Sequence, residues 1–114
     1  MVFVQTAQFD TLRELAGTSV NASYQLVGSK FTVNPRILGF SNSTDVDIYV
    51  STDGATNMLR VASNSFKLYD LQMNKSDTGD NLFPIGSGVY VKETSEGAPT
   101  KGNFWVEAIY SNNA

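Results

Sequence analysis

Phe104-Trp105-Val106-Glu107-Ala108-Ile109 decides how this chain is read. Side chains on a β-strand alternate between two faces, so Phe104, Val106 and Ala108 fall on one side and Trp105, Glu107 and Ile109 on the other. The first set suits a core. The second places Trp105 and Ile109 on one face beside a carboxylate. A lone soluble domain gains nothing by leaving such a pair in water, so another element or a partner subunit is expected to cover them.

The same period of two recurs upstream. Val46, Ile48 and Val50 share a face in Val46-Asp47-Ile48-Tyr49-Val50. Leu59 and Val61 flank Arg60, Phe66 and Leu68 point one way, and Val89 and Val91 bracket Tyr90. Turn chemistry separates the runs: Ser41-Asn42-Ser43-Thr44, Thr52-Asp53-Gly54, Ala62-Ser63-Asn64-Ser65, Gly86-Ser87-Gly88 and Gly97-Ala98-Pro99. Asp-Gly in particular marks a hairpin. About eight short strands at spacings of about ten residues predict an all-β fold, a two-sheet antiparallel β-sandwich of jelly-roll-like form. The 114 residues allow one domain over 1–114. A 17% content of charged residues is low and a 41% hydrophobic content allows a packed core.

Three segments read less simply. In Phe9-Asp10-Thr11-Leu12-Arg13-Glu14-Leu15-Ala16-Gly17, Asp10 could cap a short helix, with Leu12, Leu15 and Ala16 at helical spacing. A strand with Leu12, Glu14 and Ala16 on one side is preferred, because so short a helix is marginal alone. Met1-Val2-Phe3-Val4 is an apolar run ahead of polar Gln5-Thr6-Ala7-Gln8. Residues 1–8 are therefore an extended N-terminal arm that adds a strand to a neighbour, or an edge strand of the domain itself. The longest irregular stretch, 70–88, is expected to be a surface loop.

Composition argues against catalysis. The chain has no Cys and no His, which removes the usual activators of a nucleophile and the commonest metal ligand. Asp45, Asp47, Asp53 and Asp70 are the carboxylates that could converge, but Asp45 and Asp53 belong to turns. Asn74, Asp77, Asp80 and Asn81 offer oxygen ligands without the spacing of a calcium loop. No enzyme activity and no cofactor are expected. The net charge of −3 and eight scattered basic residues argue against a nucleic-acid partner. No window approaches the roughly 18 apolar residues of a membrane span, and no signal peptide is evident. A soluble protein made in a reducing cytoplasm, with no membrane partner, is expected.

Several stretches in order resemble small virion structural proteins of tailed bacteriophages. They are Tyr24-Gln25-Leu26-Val27-Gly28 with Asn34-Pro35-Arg36-Ile37-Leu38, then residues Asn42 to Gly54, then Ser65-Phe66-Lys67-Leu68-Tyr69-Asp70-Leu71, and lastly Gly88-Val89-Tyr90-Val91-Lys92 with Lys101-Gly102-Asn103-Phe104-Trp105-Val106-Glu107. The resemblance covers about residues 24 to 110. It implies a sandwich placed in the virion, as capsid decoration or cement or as a head–tail neck component. Its partners would be capsid, portal or tail subunits, and it would act as a homo-oligomer or array. It carries no catalytic residues. The protein-interface candidates are Met1, Val2, Phe3, Val4, Trp105 and Ile109. The alternative function is a carbohydrate-binding module recognising host surface glycan through Tyr24, Tyr49, Tyr69, Tyr90 or Trp105.

Overall fold

The computed structural model describes residues 7–71 and 86–111. Residues 1–6 of the segment expected as an arm or edge strand, most of the expected surface loop and the candidate oxygen ligands Asn74, Asp77, Asp80 and Asn81 lie outside the described residues.

Among the described residues, nine strands form two antiparallel sheets: β1 (Ala7–Phe9), β2 (Arg13–Ala16), β3 (Gln25–Leu26), β4 (Pro35–Asn42), β5 (Ile48–Ser51), β6 (Leu59–Val61), β7 (Ser65–Asp70), β8 (Tyr90–Glu93) and β9 (Asn103–Ser111). The larger sheet runs β1-β9-β4-β7, with β2 also on β9, and the smaller runs β3-β8-β5-β6. The chain is thus the β-sandwich that its alternation predicts. Within 9–17 the structure has no α-helix: Phe9 ends β1 and Arg13–Ala16 form β2, so Glu14 and Ala16 lie on the expected strand while Leu12 falls in the break at 10–12, and a 3-10 turn follows at Gly17–Ser19. β1 and β2 continue one another along the same edge of β9. Between them Asp10 uses its capping chemistry at a strand break. Its carboxylate accepts from Thr11 N–H at 2.8 Å and from the Arg13 guanidinium at 2.9 Å.

The core is where the two sheets meet. Leu38, Phe40, Phe104, Val106 and Ala108 come from the larger sheet, and Ile48, Val50, Val61 and Val91 from the smaller. β-branched residues dominate because their stiff side chains pack well on a pleated surface. Phe40 lies between the Tyr69 and Phe104 rings, at centroid distances of 5.9 and 6.4 Å.

Two polar groups join the layers. Asn42, at the end of β4, donates to Val46 O at 3.0 Å and to Val61 O, across on β6, at 2.9 Å. Its carbonyl accepts from Thr44 N–H and Thr44 Oγ1 at 2.9 and 2.6 Å. On the β2 side of β9, buried Arg13 holds its guanidinium 3.9 Å above the Phe31 ring and donates to Ser29 O at 2.7 Å. Gly28, at φ 68°, lies against the Arg13 stem, where a Cβ would come within 2.8 Å of Cγ.

The Asp53-Gly54 hairpin forms, through a longer connection than a two-residue turn. Asp53 accepts from Ser51 Oγ at 2.7 Å and from the N–H groups of Ala55 and Thr56 at 2.8 Å each. These bonds, led by the Ser51 hydroxyl, hold its carboxyl well below the usual carboxylate range. Asp45 is held low by Thr100, and Asp47 by the Ser63 N–H and then Arg60.

Two outcomes follow. Asn42→Ala strands the Thr44 N–H and the Val46 and Val61 carbonyls, in the β4–β5 connection and on β6, so urea unfolding should show a loss of about 3 kcal/mol. Folding lowers the pKa of Asp45, Asp47 and Asp53. Their contribution is therefore full above the unfolded carboxylate value near 4 and is lost as pH falls through the lower folded values. Melting curves should hold steady from about pH 7 to 5 and drop below about pH 4. Asp53→Asn should melt lower at pH 7 with a shallower acid decline.

Candidate docking face

β9 places its odd-numbered side chains on the solvent side of the larger sheet. The register shows what joins them. Ile109 lies opposite Phe9 on β1 and Ile37 on β4, and Ile37 in turn lies opposite Asp70 on β7. Glu107 lies opposite Gly39, which lies opposite Leu68. Trp105 lies opposite Glu14 on β2 and Ser41 on β4, and Ser41 lies opposite Phe66. Directly opposed residues point the same way, so Phe9, Ile37, Phe66, Leu68, Trp105 and Ile109 share one outer surface.

Trp105 and Ile109 fall on the outer face together with Glu107, as their alternation requires, and their strand neighbours leave each half-buried. The larger exposures lie on the flanking strands. Phe9 is 85% exposed, Phe66 71% and Leu68 67%. Phe66 and Leu68 do share a direction, and that direction is solvent, while Tyr69 turns inward onto Phe40. Burial asymmetry along β7 would have identified them, but alternation alone gives the face without saying which side is the core.

Gly39 opens a notch in the middle of this surface. A Cβ there would sit 3.5 Å from Leu68 Cδ1 and 3.8 Å from Glu107 Cβ, so Leu68 and Glu107 are its walls. Beside Phe66, a shallow depression of about 300 Å3 is lined by Ser41, Ser43, Asn64 and Ser65.

The candidate carboxylates are not gathered into one reaction centre. Asp45 binds Thr100, Asp47 binds Arg60 and Ser63, Asp53 closes its own turn, and Asp70 stands on β7 opposite Ile37. Asn42, which opens one Asn-x-Thr triplet, is buried and fully bonded.

The smaller sheet presents tyrosines instead. Tyr49 lies opposite Arg60 and Lys92. Lys92 Nζ stands 5.0 Å from the Tyr24 ring centroid, and the Tyr24 hydroxyl bonds Asn57 Oδ1. Burial, then the nearby Asp53 and Tyr49, raises the Tyr24 pKa. The Tyr90 ring carries Gly54 against it, at the ordinary contact distance of 3.6 Å for an added Cβ.

No family model, curated protein or solved structure matches the chain significantly. No helix among the described residues is long and apolar enough to cross a membrane, which says nothing of strands.

Phe66 and Leu68 lie mostly in solvent and outside the core, so removing them should leave the fold intact. Phe66→Ser and Leu68→Ser should each change unfolding free energy by no more than about 0.5 kcal/mol. Leu38→Ala, in the core one residue from Gly39, should lose about 3 kcal/mol. Chemical denaturation of the three variants tests this contrast.

Proposed function

We propose that this chain is a structural component of a bacteriophage virion. It binds neighbouring virion subunits through the outer face of its larger sheet, as capsid decoration or cement or as a head–tail neck protein. The observation that carries this reading is the contiguous apolar surface of Phe9, Ile37, Phe66, Leu68, Trp105 and Ile109, which the core does not use. Surfaces of this kind mark interaction sites. The resemblance of residues 24 to 110 to small virion proteins gives the assembly its setting. Particle symmetry would repeat each contact, so a modest interface per copy suffices.

The test is the composition and structure of purified particles of the phage that encodes the chain. Mass spectrometry should find it at a fixed copy number, and a particle reconstruction should show Trp105 and Leu68 covered by a neighbour. Absence from the particles, or Trp105 and Leu68 open to solvent within them, overturns the reading.

A carbohydrate-binding role is the second reading. It is favoured by Tyr24, Tyr49 and Tyr90 standing near Asn57 and Asp53. It ranks lower because Lys92 already lies over the Tyr24 ring and Gly54 over Tyr90, and a stacked sugar needs an open aromatic face. A glycan array bare of binding removes it.

A further inference from the structure

We infer that the outer face of the larger sheet docks a different polypeptide, whose matching surface is apolar and carries arginine or lysine, and that it does not dock a second copy of this chain. This rests on the reading of that face as a docking surface and adds the chemistry of the occupant.

The inference comes from charge. From residue 37 onward on β4, and on β2, β7 and β9, the outward strand positions include Glu14, Asp70 and Glu107. None of the outward positions in those registers is Lys or Arg. The Glu14 and Glu107 side chains bear no ion pair or hydrogen bond among the described residues. Glu107 borders the Gly39 notch, in the middle of the apolar surface, and Glu14 lies directly opposite Trp105. An apolar partner without cations would desolvate both carboxylates with no compensation.

A second copy laid face to face supplies no such cation from its outward strand positions. Face to face across a two-fold axis, its own Glu14 and Glu107 would meet these, and like charges brought together cost several kcal/mol at an interface. Its smaller sheet offers Arg60 and Lys92, but these are engaged. Arg60 Nη2 lies 2.8 Å from Asp47 and 3.5 Å from Glu96, and Lys92 lies over Tyr24. That face also carries Asp47, Asp53 and Glu96, so it presents no excess of positive charge. A foreign surface with an aliphatic centre and a guanidinium or ammonium beside the notch meets every group on the face.

Trp105 is the only tryptophan in the chain and lies within the face, so its fluorescence reports binding there. The probes are two short synthetic strand peptides, one alternating leucine with arginine and one alternating leucine with glutamate. The leucine–arginine peptide should shift Trp105 emission to the blue, with affinity falling as salt rises. The leucine–glutamate peptide should leave it unchanged. Combining Glu14→Gln with Glu107→Gln should weaken the leucine–arginine peptide about fivefold, whereas Glu93→Gln on the other sheet should not. Equal response to both peptides, or no response to the basic one, overturns the inference. So does a wild-type dimer in sedimentation velocity that Leu68→Ser dissolves. A chain found in particles that ignores the basic peptide ends the charge preference alone. A chain absent from particles ends the virion reading, and the titrations still decide the preference.

Discussion

β9 is hydrogen-bonded along both edges, to β1 and β2 on one side and to β4 on the other. Its side chains therefore have two directions available and no third. Phe104, Val106 and Ala108 take the inner one and are almost completely buried. Trp105, Glu107 and Ile109 must take the outer one, whatever that exposes. The register propagates the decision to β4 and β7, where Leu38, Phe40 and Asn42 turn inward and Ile37, Gly39 and Ser41 outward. A slip of one residue in β9 would put Glu107 into the core, so the core fixes the composition of the outer face.

Buried polar groups, Asn42 at the end of β4 and Arg13 on β2, join the sandwich's layers beside its apolar core. Asn42 fastens the crossing from β4 to β5 by bonding backbone on both sides of it. Arg13, on the β2 side of β9, fills its place with an aromatic contact and carbonyl acceptors, and Asp10 balances its charge at 2.9 Å. Each group works because all its partners are met. A buried amide or guanidinium left half-bonded would cost more than an apolar substitute. The apolar interior is mainly valine, which fills a thin two-sheet core without polar demands.

Legibility in the sequence tracked how local each cause was. Strand positions and hairpins follow from alternation and turn residues, so Ile48–Val50 and Phe104–Ile109 could be read directly, whereas Val46, expected on the same strand, falls in the bend before β5. Asp10 was ambiguous because one side chain can satisfy the N–H groups of a helix start or of a strand break, and only the pairing of β1 and β2 with β9 separates these. The outward direction of Phe66 and Leu68 was not legible. It depends on β7 pairing with β4 in one register, a contact between residues far apart in the chain. The roles of Asn42 and Arg13 were hidden for the same reason, since their acceptors belong to other elements.

Glu107 connects these levels. It owes its outward position to the packing of Val106 and Ala108, and its central place on the face to Gly39, which leaves room beside it. In the free protein a charge amid Trp105, Ile109 and Leu68 keeps water over an otherwise sticky sheet and sets copies against one another, a common device for discouraging sheet-to-sheet association. In a complex the same carboxylate becomes a condition on the partner, since covering it without a cation would cost more than the surrounding apolar contact returns.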